Sequence, residues 1–195
     1  MVASRAGVRG RNLALYIEQR MEPPFTILGE APVPLLIIGG VALQAHHYTR
    51  QTIDCDCIIA AANLSRLAAH LADNDYREEG RIGHFVTFWH ARREQPPLDV
   101  MLVDEVTFGK LLVRSVPYEF GAVTLRVPAL LHLIALKLHA MKNAPERAHK
   151  DFADIVELLE CNQRAVSARE LEEVCDRFGP PDIFEKLEAL VDDEP

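Results

Sequence analysis

Nine residues, Thr52-Ile-Asp-Cys-Asp-Cys-Ile-Ile-Ala60, constrain this chain more than any others. Apolar and β-branched residues mark the stretch as a strand, yet it carries Asp54 and Asp56 two positions apart. Residues i and i+2 of a strand face the same way, so the two carboxylates stand side by side and Cys55 and Cys57 face the opposite side. Adjacent carboxylates repel and are costly to desolvate. A divalent cation removes that cost. Mg²⁺ is the natural candidate, because it takes carboxylate oxygens and keeps positions open for phosphate and water. Asp99, in Pro97-Leu-Asp-Val-Met-Leu-Val103, opens another strand-like run. If that run pairs beside the first, Asp99 joins the other two at the sheet edge. Asp104, further along, is expected to face the opposite side of the same strand.

The preceding segment fits this chemistry. Val33-Pro-Leu-Leu-Ile-Ile38 is a continuous apolar run, the mark of a strand buried on both faces, and Gly39 and Gly40 end it. A short helix follows over "VALQAHHY". Without Cβ atoms, the turn lets the backbone approach a phosphate, and the helix start offers free N–H groups. Phosphate-cradling glycines followed by metal-holding carboxylates outline a phosphoryl or nucleotidyl transfer site. Either feature alone is ordinary. The order strand, Gly-Gly, helix, Arg50-x-Thr52-x-Asp54-x-Asp56, then an isolated Asp on a later strand, is far more specific.

The rest of the chain divides in two. Residues 1–24 read as an N-terminal helical extension, with a helix from Asn12 to Met21 stopped by Pro23 and Pro24. Residues 25–127 read as an α+β core. It contains a helix over "NLSRLAAHLADNDY" with Asn63 as N-cap. "HFVTFWH" and "LDVMLVD" form an antiparallel hairpin, and further short strands and turns run through "FGKLLVRSVPYEFGAVTLRV". Residues 128–195 read as a helical region of four helices, the first started by Pro128 and the third capped by Ser167-Ala-Arg-Glu170, a capping box. The expected architecture is a small mixed β-sheet flanked by helices.

Composition sets limits. A net charge of −8 over 195 residues argues against a general nucleic-acid binder, although Lys142, Arg147, His149 and Lys150 form a local basic stretch. Cys55, Cys57, Cys161 and Cys175 fit neither a disulfide framework nor a zinc site, and read as reduced thiols of a cytoplasmic protein. The longest apolar runs are too short to span a bilayer, and no signal-peptide pattern is present. His46 and His47 lie near the glycine turn, where one packed and one surface residue is the better reading. Phe85, Phe88 and Trp89 read as core.

These residues resemble the nucleotidyltransferase superfamily of DNA polymerase β, and within it the AbiEii-type proteins. The resemblance rests on Gly39-Gly40, then Arg50-Gln-Thr52-Ile-Asp54-Cys-Asp56, then Lys137 followed by Lys150-Asp151-x-x-Asp154. It covers about residues 35–160. It implies a helical half closing over an NTP, ATP among them. Asp54, Asp56 and Asp99 would hold Mg²⁺, with Asp99 as the base. Gly39 and Gly40 would contact the triphosphate. Arg50, Thr52, Lys137 and Lys150 would line the nucleotide site, and Asp151 or Asp154 would orient Lys137 or the nucleotide. One position departs from the pattern: Val41 stands where many members carry Ser or Thr. Relatives of this type are often toxins, which points to tRNA or a protein as acceptor and to an antitoxin as partner. A small-molecule acceptor, as in antibiotic nucleotidyltransferases, stays open. So does a non-catalytic binding module of the same fold.

Overall fold

The computed structural model describes residues 24–92 and 95–191. The expected helix at Asn12–Met21 lies outside the described residues. A five-stranded mixed sheet forms the centre: β1 (Leu36–Ile38), β2 (Cys55–Ala60), β3 (Tyr76–Ile82), β4 (Phe85–His90) and β5 (Leu98–Val103), in the order β1-β2-β5-β4-β3. Only β2 and β5 run parallel; every other pairing is antiparallel. A two-stranded ribbon, β6 (Val116–Phe120) and β7 (Val123–Val127), forms a separate hydrogen-bonded sheet.

The helices are α1 (Phe25–Gly29), α2 (the single turn Gly39–Ala42), α3 (Leu64–Asp73), α4 (Glu105–Val113), α5 (Leu130–Asn143), α6 (Ala148–Cys161), α7 (Ala168–Phe178) and α8 (Ile183–Val191). α3 forms because Leu64, Leu67 and Leu71 fall on one helical face, and all three are buried. Asn63 occupies the N-cap position, but its side chain makes no cap hydrogen bond; a 3-10 turn at Ala61–Asn63 leads into the helix instead. The Ser167 capping box is present, with Ser167 Oγ accepting from the Glu170 amide and the Glu170 carboxylate accepting from the Ser167 amide.

The sheet is packed on both faces, as alternation requires. Ile37, Cys55, Cys57, Ile59, Val86, Phe88, Leu98 and Val100 enter the main core, which α3 and α5 to α8 complete with residues such as Leu67, Leu133, Ile134 and Ile155. Leu36, Ile38, Ile58 and Ala60 enter a smaller core closed by Phe108 and Leu111 of α4. The main core therefore draws on both the 25–127 and the 128–195 segments. β1 is a lateral strand, yet all three of its residues are buried, because β7 packs against it.

Three local expectations are corrected. "FGKLL" is the body of α4, not a strand: Asp104 leaves the strand, takes the N-cap position and accepts from the Thr107 amide at 2.9 Å and its hydroxyl at 2.6 Å. A single-residue cap outweighed an apolar run that suits either element. β3 has no apolar alternation to announce it, since only Tyr76 of its seven residues is buried. α1 follows the Pro23-Pro24 stop, where no helix is expected, and packs against the ribbon, with the Phe25 ring 4.5 Å from Phe120. The β4–β5 hairpin forms as expected, with Thr87 opposite Asp99.

Asp104→Ala should lower the unfolding free energy by about 1 kcal/mol through loss of the cap. Urea denaturation measures it, and divalent-cation binding should be unchanged. Weakened cation binding in this variant would show that Asp104 belongs to the acidic site.

Candidate active site

β2 and β5 run side by side in parallel register, with Asp56 directly opposite Asp99. Asp54 lies one residue before β2, not inside the strand, but still reaches the same place. Asp54, Asp56 and Asp99 each offer a carboxylate oxygen, and these oxygens lie within 4.8 Å of one another. All three are half-buried. The site is not at a lateral edge of the sheet. It sits at the N-terminal ends of adjacent strands, on the face that carries the smaller core, while Cys55 and Cys57 point into the main core.

Each carboxylate is placed by a different device. The Thr52 hydroxyl donates to Asp54 Oδ1 at 2.6 Å, and the Thr87 hydroxyl donates to Asp99 Oδ1 at 2.6 Å. Asp56 is accommodated by Gly39: a Cβ there would stand 2.0 Å from Asp56 Oδ2, and the glycine has φ +66°. Only glycine meets both demands. A Cβ on Gly40 would come within 2.9 Å of the Thr52 hydroxyl oxygen. The glycine pair thus lets the chain pass directly against the acidic cluster.

The electrostatics follow. Two unit charges at such separations repel by roughly 3 kcal/mol at an effective dielectric near 20. Burial first, then the charges of Asp54 and Asp99, push the Asp56 carboxyl up from 3.8 to about 7. Burial also works to raise Asp54, but the Thr52 hydrogen bond, its own backbone amide and the more distant Lys150 and Arg147 hold it below the usual carboxylate range. Among the described residues no Lys or Arg forms an ion pair with any of the three. No cation among those residues therefore neutralises them directly. The donor set is all carboxylate oxygen, and the three ligand atoms lie close enough together to share one ion. Both observations fit a hard divalent cation.

A second cluster lies beside the first. Arg50 makes a two-pronged bond to Asp154, Nε to Oδ1 at 2.6 Å and a terminal nitrogen to Oδ2 at 2.8 Å. Lys137 Nζ donates to Asp154 Oδ2 at 2.5 Å and to Asp151 Oδ1 at 3.2 Å. Lys137, Asp151 and Asp154 are 5%, 3% and 1% exposed, so this is a buried network. Burial alone would raise the Asp154 carboxyl, but the bonds from Arg50 and Lys137 bring it below its ordinary value. Asp151 Oδ2 is buried without a hydrogen-bond partner.

The sequence-derived residues therefore fall into two groups. Gly39, Gly40, Thr52, Asp54, Asp56 and Asp99 converge on one acidic cleft. Arg50, Lys137, Asp151 and Asp154 form the ion network that ties the segment before β2 to α5 and α6. Lys150, and Arg147 beside it, stand at the start of α6 and act on Asp54 from a distance. Thr87 escaped the sequence reading; the signal was present in the register of the "HFVTFWH" hairpin against Asp99. Val41 is 3% exposed and belongs to the main core, so the side chain at that position packs inward. His46 is buried, with Nε2 2.8 Å from the Pro128 carbonyl oxygen, while His47 is exposed with φ +65°.

No family model and no curated protein matches this sequence. Solved structures do. The antibiotic-resistance factor ANT(2'')-Ia in solution is similar with a TM-score of 0.59 at 14% identity, over 94% of this chain and 99% of that one. Its crystal structure in complex with adenylyl-2''-tobramycin gives 0.59 at 16% identity, over 88% and 97%. An antigenic nucleotidyltransferase-like protein from Paracoccidioides brasiliensis gives 0.51 at 14% identity, over 85% and 90%. The chain has the nucleotidyltransferase fold. Within that fold, the ion network joins the segment before β2 to α5 and α6, next to the acidic cluster. No helix among the described residues is long and apolar enough to cross a membrane.

Two outcomes follow from this geometry. With Asp56 raised to about 7, the cation-free protein gains stability below the ordinary carboxylate pKa and loses it as pH rises through 7. Asp56→Asn should therefore be more stable than wild type without added cation, with the advantage growing by about 2 kcal/mol from about pH 5 to about pH 8. Thermal denaturation across that range measures it, and a pH-independent difference would refute the shift. Asp154→Ala leaves Arg50 without its carboxylate and Lys137 with Asp151 alone, and should cost about 3 kcal/mol in urea denaturation. A loss under about 1 kcal/mol, the value of an exposed pair, would contradict the buried network.

Proposed function

We propose that this chain is a Mg²⁺-dependent nucleotidyltransferase, moving NMP from an NTP to a hydroxyl of an acceptor. The observation that carries the reading is the meeting of Asp54, Asp56 and Asp99 within 4.8 Å beneath a glycine turn. A purely structural role would not gather three carboxylates without a cationic partner, given the repulsion between them.

Asp54, Asp56 and Asp99 would hold the metal. When bound, it would lower the pKa of the acceptor hydroxyl and offset charge developing on the leaving pyrophosphate. Gly39 and Gly40 seat Asp56 and Thr52 against the turn, and their backbone would contact the triphosphate. Lys150, joined by Arg147, attracts the phosphates; both cations face the acidic cleft without an ion pair of their own among the described residues. Asp99 serves as proton acceptor for the acceptor hydroxyl. The hydroxyl oxygen then attacks the α-phosphorus, the bond to the bridging oxygen breaks, and pyrophosphate leaves. Arg50, Lys137, Asp151 and Asp154 keep the sheet and the helical half in fixed relation, so that cradle and carboxylates stay aligned. The inward packing of Val41 supports an active site, because the cradle does not depend on that side chain.

The acceptor is a macromolecule such as tRNA or a protein, as for a toxin with an antitoxin partner, or a small molecule. A small cationic acceptor gains support from the net charge of −8 and from the near full-length likeness to ANT(2'')-Ia, whose crystal structure holds adenylyl-2''-tobramycin. Offering labelled NTPs with aminoglycosides and, separately, with tRNA distinguishes the two.

Saturating NTP with Mg²⁺ should stabilise the wild type by about 2.7 kcal/mol at a hundredfold excess over Kd. Asp54→Ala and Asp99→Asn should abolish that shift and lower transfer by about a thousandfold or more while remaining folded. Full turnover by either variant would sink the assignment, and no shift with any NTP would favour a non-catalytic module.

A further inference from the structure

The two outer carboxylates share an arrangement that the transfer reading does not use. Thr52 Oγ1 and Thr87 Oγ1 each donate at 2.6 Å to the Oδ1 atom of Asp54 and Asp99, respectively. They come from unrelated places: Thr52 from the segment before β2, Thr87 from the middle of β4. The central carboxylate, Asp56, has no hydroxyl partner among the described residues; Gly39 makes room for it.

We infer that Thr87 and Thr52 are positioning residues for the cation site, each holding one outer carboxylate in a cation-ready rotamer through a neutral hydrogen bond. This inference rests on the metal reading above. The choice of hydroxyl is chemically pointed. A Lys or Arg would also orient a carboxylate, but would cancel the charge that the cation needs. A hydroxyl orients and leaves the charge in place. It also engages one oxygen and leaves the other outside that bond. Thr suits the task better than Ser, because branching at Cβ narrows its χ1 choices.

Thr87 carries the stronger case. It is the direct cross-strand partner of Asp99 in the β4–β5 ladder, so backbone pairing holds donor and acceptor in fixed register. Its cross-strand neighbour on β3 is Gly80, which has no side chain to compete for the hydroxyl. The "HFVTFWH" strand therefore contributes to the site through one oxygen atom. Partners that orient ligating carboxylates typically change metal affinity by 10–100-fold when removed.

The test uses Mn²⁺ as probe, followed by the EPR signal of the free ion, on the full chain. Wild type, Asp56→Ala, Thr87→Val, Thr87→Ser and Thr52→Val are compared, with thermal denaturation of each without cation. Thr87→Val keeps the branch and removes the hydroxyl; its Mn²⁺ affinity should fall by about 10–100-fold, with Thr87→Ser recovering most of it. Thr52→Val should behave likewise. The cation-free melting temperature of Thr87→Ser should match wild type, which keeps a folding defect in the valine variant distinguishable from a binding defect. If wild type binds Mn²⁺, Asp56→Ala does not, and Thr87→Val binds as well as wild type, the positioning role is overturned and the metal reading survives. If wild type itself binds no Mn²⁺, the metal reading falls and takes this inference with it.

Discussion

Parallel pairing of β2 with β5 is the constraint on which the site depends. It places Asp56 opposite Asp99 across one inter-strand spacing and brings the N-terminal ends of both strands, with Asp54 just before β2, to the same end of the sheet. A parallel pair needs a long crossover, here α3 followed by the β3–β4 hairpin, and that crossover contributes to the main core. The cost of bringing carboxylates together is thus met by burial elsewhere in the sheet. Burial first, then the two neighbouring carboxylates, hold the Asp56 carboxyl above its ordinary value.

The Arg50–Asp154–Lys137–Asp151 network performs a complementary task. A buried pair is not by itself a source of stability, since desolvation consumes most of the Coulombic gain. Its value is geometric. Asp154 accepts from Arg50, which precedes the acidic strand, and from Lys137 on α5, so one carboxylate ties three parts of the chain. Apolar packing between α5 and α6 could slide by small amounts. A shared carboxylate with two directed partners resists such sliding. The start of α6, with Arg147 and Lys150, is thereby held near the acidic cleft.

Much of this was legible in the residues themselves. Asp56 and Asp99 could be grouped because strand alternation sets which side chains share a face, and Asp54 because it stands two residues before Asp56. The hairpin joining β4 to β5 followed from two apolar runs around a proline turn. α3 and the C-terminal helices followed from their periodicity, and the Ser167 cap from its box. What escaped has a common cause. β3 is an exposed strand, so burial imposed no pattern on it. α4 and the end of β5 share one apolar stretch, and the switch between them depends on the Asp104 cap. The mutual bonds of Arg50, Lys137 and Asp154 span 104 and 17 residues and cannot be seen in local spacing.

The sequence by itself determined which residues could do chemistry here: a glycine pair, three acidic side chains at readable positions and a basic stretch. Those are properties of residue type and of local period, and both are written in the chain order. Only the tertiary structure decided how they meet. Asp54 reaches the cluster from outside the strand, Thr87 becomes the partner of Asp99, and Val41 turns into the core. Each of those outcomes depends on contacts between segments distant along the chain, and such contacts form only when the sheet closes and its two faces are buried.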